Sequence, residues 1–435
     1  MVVVGSILIN MALGVIYAWS VFRPPLAAEF KWQPLQATGP FIVAVFVFAL
    51  LMIPAGRLND RLGPMPVGIA GGVLMGISFL LCSLVPRGVA NSVAAWWWLT
   101  VCYGVLGGAA IGLGYAVPIA TGVKWFPDKR GLITGLAVMG FGGSTLVFGP
   151  LANTMIANQG LWNTFAQLGI VFFVMISIGS LLLTTPPPGW RPAGWTPPEA
   201  KTASGQQIKR DFSPGELLRT SQSYMLIAAY ALAAMSGLMV ISFAKPYCDS
   251  CSFNPLAAAQ GLSWINAIPV VGYNIFSGKA VELSAAVVGW LSLWNALGRM
   301  ILGWVSDRIG RRNAMLLDHA TIFVVMLITP WLVGSAWALL LMFMLIGMTF
   351  GGNLALFPAT NADWFGTKHA GVNYGIIFLG YGLAGIVGSI VGNLDPAVLG
   401  GYETAFRIAA VAGLIAGIMS YLIKRPVRQE QPVPA

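Results

Sequence analysis

Long apolar runs alternate with short polar segments along the whole chain. Each run is about 20 residues long, the length that a helix with ~1.5 Å rise per residue needs to cross ~30 Å of hydrocarbon. The pattern therefore predicts an all-α membrane protein with about twelve transmembrane helices. We place the spans near residues 2–22, 36–56, 66–86, 95–121, 131–152, 163–184, 222–245, 283–304, 314–333, 336–359, 369–392 and 404–423.

The longest polar segment divides the predicted spans into six and six. It opens with TPPPGWRP, and further on Ser213 to Glu216 fit a capping box for a short amphipathic helix that leads into span 7. We predict an N-terminal six-helix bundle at residues 1–184, a linker at 185–221, a C-terminal six-helix bundle at 222–424 and a tail at 425–435.

Composition supports a membrane protein, because a chain that is 57% hydrophobic and 9% charged cannot cover itself with polar surface. Most of the 24 Lys and Arg residues follow even-numbered spans or lie in the linker and tail, so the positive-inside rule puts the linker and both termini in the cytoplasm. We attribute the net charge of +10 to this topology and to anionic lipid, and expect no nucleic-acid partner. The exceptions are Arg23, Lys31, Arg87, Lys245, Lys279, Arg299 and Arg407.

The two halves of the chain repeat each other in the same order. GRLNDRLGP at residues 56–64 and GWVSDRIGRR at 303–312 share the pattern G-x-x-x-D-R-x-G, and KWFPDKRG at 124–131 matches DWFGTKHAG at 363–371. GFGG in span 5 likewise matches GYGLAG in span 11. Two similar six-helix bundles predict a pseudo-symmetric transporter with a substrate site between them, opened alternately to each side of the membrane.

The Asp-Arg turns are candidate gates. Each turn places a carboxylate and a guanidinium at a helix end, where they can pair with a neighbouring helix and hold the cytoplasmic side closed until the halves rock. The alternative is a static clamp between loops. The candidate gating residues are Asp60, Arg61, Asp307 and Arg308.

The duplicated G-x-x-x-D-R-x-G resembles the signature of the major facilitator superfamily, and the resemblance covers nearly the whole chain. The first copy departs from the pattern, since Pro64 and Met65 stand where the superfamily usually has basic residues, so we expect a weaker gate there. YAWSVF, KWFPDKRG, DFSPGELLRTSQ, GGNLALFP and NYGIIFLGYG are similar to segments of the oxalate/formate antiporter family and of bacterial monocarboxylate transporters. This resemblance implies a monomeric, multi-pass carrier of small organic anions in a bacterial inner membrane.

An arginine inside span 8 is the main candidate for substrate binding. Burying an unpaired guanidinium costs at least ~2.5–3.5 kcal/mol on insertion scales, so the Arg299 side chain either snorkels to the interface or binds a carboxylate with its planar fork. Its helix carries small and polar residues at spacings of three or four, which favours the substrate role. They are Ser292, Asn295, Arg299, Gly303 and Ser306. Asn295 is placed to orient the guanidinium or to bond a substrate hydroxyl, and the alternative is a bond between helices.

Aromatic residues in spans 1, 4, 10 and 11 stand among glycines and small residues, where they either line a small cavity or serve in packing. They are Tyr17, Tyr115, Phe357 and Tyr381. In dicarboxylate-handling members of the resembled family a lysine is expected where this chain has Tyr381. One buried cation suits one carboxylate, so we predict a small monocarboxylate substrate such as lactate, pyruvate, formate or acetate.

The coupling ion is not determined by the sequence. Spans 1, 4, 5, 7, 10 and 11 carry no deep carboxylate, and Asp318 and His319 in span 9 are interpreted as an interface pair that could also titrate. Our hypothesis is a secondary active transporter that moves a monocarboxylate with a proton. The alternative is an oxalate/formate-type anion exchanger.

Other classes of function have less support in the sequence than transport. The chain has no HExxH, no GxSxG and no clustered carboxylates, so we predict that it is not an enzyme and needs no metal or cofactor. A receptor that does not transport is the remaining class.

The long loop of residues 246–282 receives no role. Its apolar run WINAIPVVGYNIF could lie on the membrane surface, and Cys248 and Cys251 either form a disulfide or stay free thiols.

Overall fold

The computed structural model describes residues 1–187, 189–192, 211–269, 271–394 and 401–426. Within this part of the chain, 12 helices are long and apolar enough to cross a membrane, which confirms the predicted number and the all-α class. We label them α1 to α12 in chain order. Their bounds are Val2–Phe30, Pro34–Leu62, Pro64–Ser83, Val89–Trp125, Arg130–Gln159, Leu161–Leu181, Ser221–Ser250, Leu283–Ile309, Arg311–Leu332, Ala336–Phe365, Ala370–Gly392 and Tyr402–Leu422.

Both Asp-Arg motifs form the last turn of a helix. Gly63 and Gly310 end α2 and α8 with φ of +82° and +87° and an extended ψ, a region of backbone space that is essentially open only to glycine. The next helix begins at once, with Pro64 after the first glycine and Arg311 after the second. The final glycine of the repeated pattern is therefore required by the backbone.

Two membrane helices change their winding on the way across. In α1, a 3-10 segment, Gly14–Ala18, joins the α-helical pieces Val2–Leu13 and Trp19–Phe30. In α4, a 3-10 turn, Val89–Asn91, and an α-helix, Ser92–Leu99, precede a π-helical stretch, Thr100–Gly107, and the final α-helix, Gly108–Trp125. Such interruptions often mark functional segments, and the one in α1 carries Tyr17.

The helices pack as two groups of six, α1–α6 and α7–α12. The groups meet mainly along two seams, where α5 packs on α8 and α2 packs on α11. Outward surfaces are apolar, as on α6, where Ile170, Val174 and Ile178 are exposed at a spacing of four. This face suits contact with lipid tails.

The end of the linker forms the predicted short helix, Pro214–Leu217. Glu216 N–H donates to Ser213 Oγ at 3.3 Å and Ser213 N–H donates to Glu216 Oε2 at 2.8 Å, so the capping box is confirmed. Residues 188 and 193–210 of the predicted linker, and 427–435 of the tail, lie outside the described residues. We call the side of the protein that carries Gly63, Gly310 and this helix the linker face.

The long loop after α7 lies on the opposite side, which we call the loop face. It contains a short helix, Phe253–Ala259, a 3-10 helix, Leu262–Ala267, and two antiparallel strands, β1 (Tyr273–Asn274) and β2 (Lys279–Ala280).

The β1–β2 hairpin packs on the protein. The Asn274 amide donates to the Pro150 carbonyl at 3.4 Å and to Thr154 Oγ1 at 3.2 Å, both on α5. The hairpin thus reaches the other group of helices, while Trp264, Ile275 and Phe276 of the apolar run remain exposed, so the suggestion that this run lies on the membrane surface stays a prediction. Cys248 and Cys251 are free thiols.

Candidate functional site

Arg299 on α8 is fully buried, with 0% of the residue exposed. Its Nε and Nη2 donate to Asn295 Oδ1 at 3.3 and 3.2 Å, and its Nη1 donates to the Val138 carbonyl of α5 at 2.8 Å. It forms no ion pair with any residue that the structure describes. The snorkelling interpretation is excluded, since the side chain turns into the protein and crosses the seam between α8 and α5.

The glycines of α5 make room for this arginine. A Cβ at Gly142 would lie 2.8 Å from Arg299 Nε and 3.0 Å from Asn295 Oδ1, and a Cβ at Gly135 would collide with the Arg299 carbonyl. Between these glycines, the Phe141 ring lies with its centroid 5.5 Å from the guanidinium carbon, within the range of a cation–π contact. The GFGG segment is thus the surface on which the guanidinium lies.

Aromatic side chains from both groups of helices surround Arg299, and we call them the aromatic cage. The first group contributes Tyr17, Phe48, Tyr115 and Phe141, and the second contributes Tyr230, Tyr374, Phe378 and Tyr381. All eight are buried. The site is therefore closed to bulk water, which strengthens any charge pair formed inside it.

The hydroxyl groups of four cage tyrosines form two pairs. Tyr17 Oη and Tyr381 Oη lie 2.5 Å apart and share a hydrogen bond between α1 and α11. Tyr230 Oη and Tyr374 Oη lie 3.3 Å apart within the second group. The Tyr115 hydroxyl is buried and has no hydrogen-bond partner among the described residues. The positive charge of Arg299 interacts electrostatically with the hydroxyl groups of all five of these tyrosines.

The structure brings the six predicted substrate-site residues into one region, although Phe357 stands one layer out. Its ring stacks on Tyr230 at 4.1 Å with an interplanar angle of 6°. Sequence reasoning missed Tyr230 and Tyr374 altogether. The NYGIIFLGYG segment contains Tyr374, but nothing in its local pattern distinguishes this tyrosine from a packing residue.

Access to the cage differs between the two faces. Toward the loop face, Ser20 lines both a cavity of about 20 Å³ beside Tyr17 and Asn295 and a groove of about 420 Å³ that reaches Asn274. Toward the linker face, the cavity between Ala120 and Tyr374 has a volume of only about 10 Å³. The protein is therefore closed on the linker face.

An ionic cluster holds the α5–α8 seam closed at the linker face. Asp307 on α8 accepts hydrogen bonds from the N–H groups of Gly131 and Leu132 on α5, at 2.9 and 2.8 Å. Arg130 Nη1 lies 2.9 Å from Asp363 Oδ1 at the end of α10, and Arg311 pairs with both acids. We call these contacts the α5–α8 latch.

The other candidate gating residues make no such contact. Asp60 pairs with Lys124 at 3.2 Å inside the first group of helices. Arg61 is exposed and has no ion pair in the described part of the chain, and Arg308 lies over the Trp304 ring at 3.8 Å. The cross-helix pairing expected of the two motif arginines is instead made by Arg130 and Arg311, which are the first residues of α5 and α9.

Asp318 and His319 are not an interface pair, and that interpretation is wrong. Both are buried, with exposures of 1% and 0%, because α9 turns them toward α10 and α12. They hydrogen-bond with Asn353 and Ser420 there.

Twelve membrane helices in two packed groups, with a buried cation at the seam and closure at one face, define a membrane transport protein. The chain belongs to the Major Facilitator Superfamily, whose family model matches residues 3–282 and 255–435.

Two relatives and one solved structure are similar to this chain. It is 29% identical over 433 residues to the oxalate:formate antiporter of Oxalobacter formigenes, covering 97% of this chain and 91% of that one. It is 24% identical over 408 residues to monocarboxylate transporter 13 of Rattus norvegicus, covering 94% and 84%. The structure of the proton:xylose symporter XylE aligns with a TM-score of 0.67 at 11% identity over 98% of this chain and 95% of that one, which shows the fold.

Proposed function

We propose that this protein is a secondary active transporter that moves a small monocarboxylate, of the lactate or pyruvate kind, together with a proton by alternating access. The observation that carries the proposal is the buried Arg299 with no acidic partner among the described residues. A guanidinium at this depth is costly unless an anion pairs with it, and a substrate carboxylate provides that anion.

The guanidinium has donors left for a carboxylate. It carries five N–H groups, and its bonds to Asn295 and Val138 use three of them. Tyr115 adds a buried hydroxyl without a partner among the described residues. In our proposal the carboxylate binds the free side of the fork and accepts from Tyr115. Asn295 keeps the guanidinium in place through its Oδ1.

The remaining cage residues limit the size of the substrate. Tyr17 and Tyr381 hydrogen-bond to each other. A hydroxyl or keto oxygen of the ligand would replace one of the two tyrosines as the hydrogen-bond partner of the other. Phe357 supports the cage from behind through its stack on Tyr230. Phenyl and phenol walls favour a short apolar substituent, such as the methyl group of lactate or pyruvate.

The number of buried cations favours a monocarboxylate over a dicarboxylate. Of the described Lys and Arg residues, Arg299 alone has a buried side chain. A second carboxylate in the cage would meet phenol groups and no positive charge, which costs several kcal/mol. The alternative of an oxalate/formate-type exchanger is supported by the relationship to the Oxalobacter antiporter, and the test must therefore include it.

For topology, we propose that the linker face is cytoplasmic, since most Lys and Arg residues lie on that side. The latch of Asp307 and Arg311 would then close the cytoplasmic side, and its release would open the site inward. We further propose two bundles at residues 1–184 and 222–424, action as a monomer, and a location in a bacterial inner membrane.

The test is uptake of labelled L-lactate into proteoliposomes under an inward proton gradient. We expect Arg299→Gln to reduce uptake by about 100-fold, because each charge-assisted hydrogen bond to a carboxylate contributes about 1.5–3 kcal/mol. Arg407→Gln is the matched control. That residue is 63% exposed at its side chain on α12, and its replacement leaves uptake unchanged.

Two results would contradict the proposal. Uptake that requires oxalate or formate inside the vesicles indicates an exchanger. Uptake that survives Arg299→Gln shows that this arginine is structural.

A further inference from the structure

A second buried polar cluster lies within the second group of helices, next to the cage but outside it. His319 on α9 contacts Ser420 Oγ on α12 through Nδ1 at 2.9 Å and Asn353 Oδ1 on α10 through Nε2 at 3.1 Å. The Asn353 amide donates to Asp318 Oδ2 at 2.8 Å. Three helices thus meet around one carboxyl group and one imidazole.

The Asp318 carboxyl pairs with no lysine or arginine of the described residues. Its Oδ1 is buried and has no hydrogen-bond partner among the described residues, and the His319 ring lies 3.9 Å from Oδ2 without donating to it. Burying an ionised carboxylate without a positive partner costs several kcal/mol. A protonated, neutral carboxyl avoids this cost.

Among the described residues, no lysine or arginine of a neighbouring helix forms an ion pair with this carboxyl. From α10 it faces Asn353 and Gly352, and α12 contributes the neutral Ser420 to the cluster. The basic residues at the start of α9 are committed elsewhere. Arg311 pairs with the latch acids and Arg312 donates to the Tyr421 carbonyl.

One turn of α10 connects the cluster to the substrate site. A Cβ at Gly351 would collide with the Asn295 backbone and lie 2.9 Å from its Oδ1, so α10 rests directly on the residue that holds Arg299. A Cβ at the next residue, Gly352, would lie 3.1 Å from Asp318 Oδ1. The third residue, Asn353, bonds both Asp318 and His319. Three consecutive residues thus touch the anion site on one side and the acid on the other.

We propose that Asp318 is the proton-carrying group of the transporter, an inference that rests on the proton-coupled function proposed above. A proton that enters from the loop face binds to the Asp318 carboxylate and forms an O–H bond. This bond breaks when the proton leaves toward the linker face. One proton and one carboxylate anion cross together without net charge. Ionisation of Asp318 changes the strength of its hydrogen bond with the Asn353 amide. The Gly351–Asn353 turn then shifts against Asn295, which changes the affinity of Arg299 for the substrate carboxylate.

The experiment compares Asp318→Asn with Asp128→Asn, an exposed aspartate in the loop before α5. Asparagine keeps the shape of the neutral acid and still accepts from Asn353, so we expect exchange of labelled for unlabelled L-lactate at equal pH to stay within about twofold. Accumulation under an inward proton gradient should fall by more than about tenfold. Asp128→Asn should match the wild type in both assays.

The outcomes separate the two proposals. Gradient-driven accumulation that persists in Asp318→Asn overturns the role of Asp318 and leaves proton coupling intact. Wild-type protein that exchanges lactate but does not respond to the gradient overturns proton coupling itself.

If Asp318→Asn is inactive in both assays, we would measure the binding of sodium lactate to the purified protein by tryptophan fluorescence, as a function of pH. The wild-type dissociation constant should rise with pH as the carboxyl loses its proton. A dissociation constant of Asp318→Asn that does not depend on pH supports the inference. The inference is overturned if the variant shows the same pH dependence as the wild type or binds no lactate.

Discussion

The two copies of the Asp-Arg turn share one sequence pattern and make different contacts. Asp60 pairs with Lys124, and both belong to the first group of helices. Asp307 reaches across the seam to the N–H groups of Gly131 and Leu132. The common motif therefore builds the helix end and the turn, whereas closure depends on the residues next to it.

Two differences between the copies explain the divergence. At the position of Lys124, the second half has Asp363, and at the position of Pro64 it has Arg311. Arg311 bridges Asp307 and Asp363 at 2.7 and 2.6 Å. Both acids also contact the first residues of α5. In the first half, the lysine neutralises Asp60 locally, and a proline supplies no donor to bridge outward.

The two seams are consequently closed by different means. The α5–α8 seam combines the latch with a contact between Gly131 and Gly303, while at the α2–α11 seam Gly56 lies against Gly371 and Gly375 lies against Met52. Removal of a charge should open the first seam, and addition of a methyl group should open the second.

The largest effect is expected for Asp307→Asn. This change removes the charge from two hydrogen bonds at the start of α5 and from the pair with Arg311, each worth about 1.5–3 kcal/mol, so opening at the linker face should rise by roughly 10- to 100-fold. We would measure the rate of thiol labelling of Ala120→Cys in a Cys251→Ser background. Arg308→Gln, which alters an exposed residue of the same turn, is the control. An unchanged labelling rate would mean that Asp307 does not hold the seam.

An intermediate effect is expected for Gly56→Ala. The added methyl group would collide with the Gly371 backbone, and overpacking of this kind costs about 1–3 kcal/mol, so labelling at Ala120→Cys should rise by about tenfold. Gly215→Ala places its methyl group in open space and serves as the control. If Gly56→Ala labels no faster than that control, the α2–α11 seam is looser than its backbone contact implies.

The smallest effect is expected for Asp60→Asn. Its pair with Lys124 is partly exposed, at 17% and 27% of the two side chains, and such pairs contribute about 0–1 kcal/mol. Labelling at Ala120→Cys should therefore change by no more than about fivefold. An effect as large as that of Asp307→Asn would show that the two turns are equivalent gates and would remove the contrast between them.

Several features were predictable because they depend on local sequence. The number of membrane helices followed from the length and apolarity of each run, and the capping box at Ser213 followed from two residues three positions apart. The inward stripe on α8 that carries Asn295 and Arg299 followed from helical spacing. None of these requires knowledge of a neighbouring helix.

Other features lay beyond local patterns. Tyr230 reads as an ordinary aromatic residue of α7, and only its hydroxyl contact with Tyr374 places it in the cage. Asp318 reads as a polar residue near a helix end, yet the crossing of α9 with α10 buries it against Asn353. Arg130 shows its partner, Asp363, only when the two halves are packed together.

Length, apolarity and periodicity act within a single helix, and they establish that this chain spans a membrane with twelve helices in two similar halves and that one arginine lies deep within a span. Packing between helices establishes which copy of the motif contacts the other half, which rings enclose Arg299, and which acid is buried away from lysine and arginine. These depend on the register between helices far apart in the chain, which is set by close packing of glycines and side chains over the whole interface.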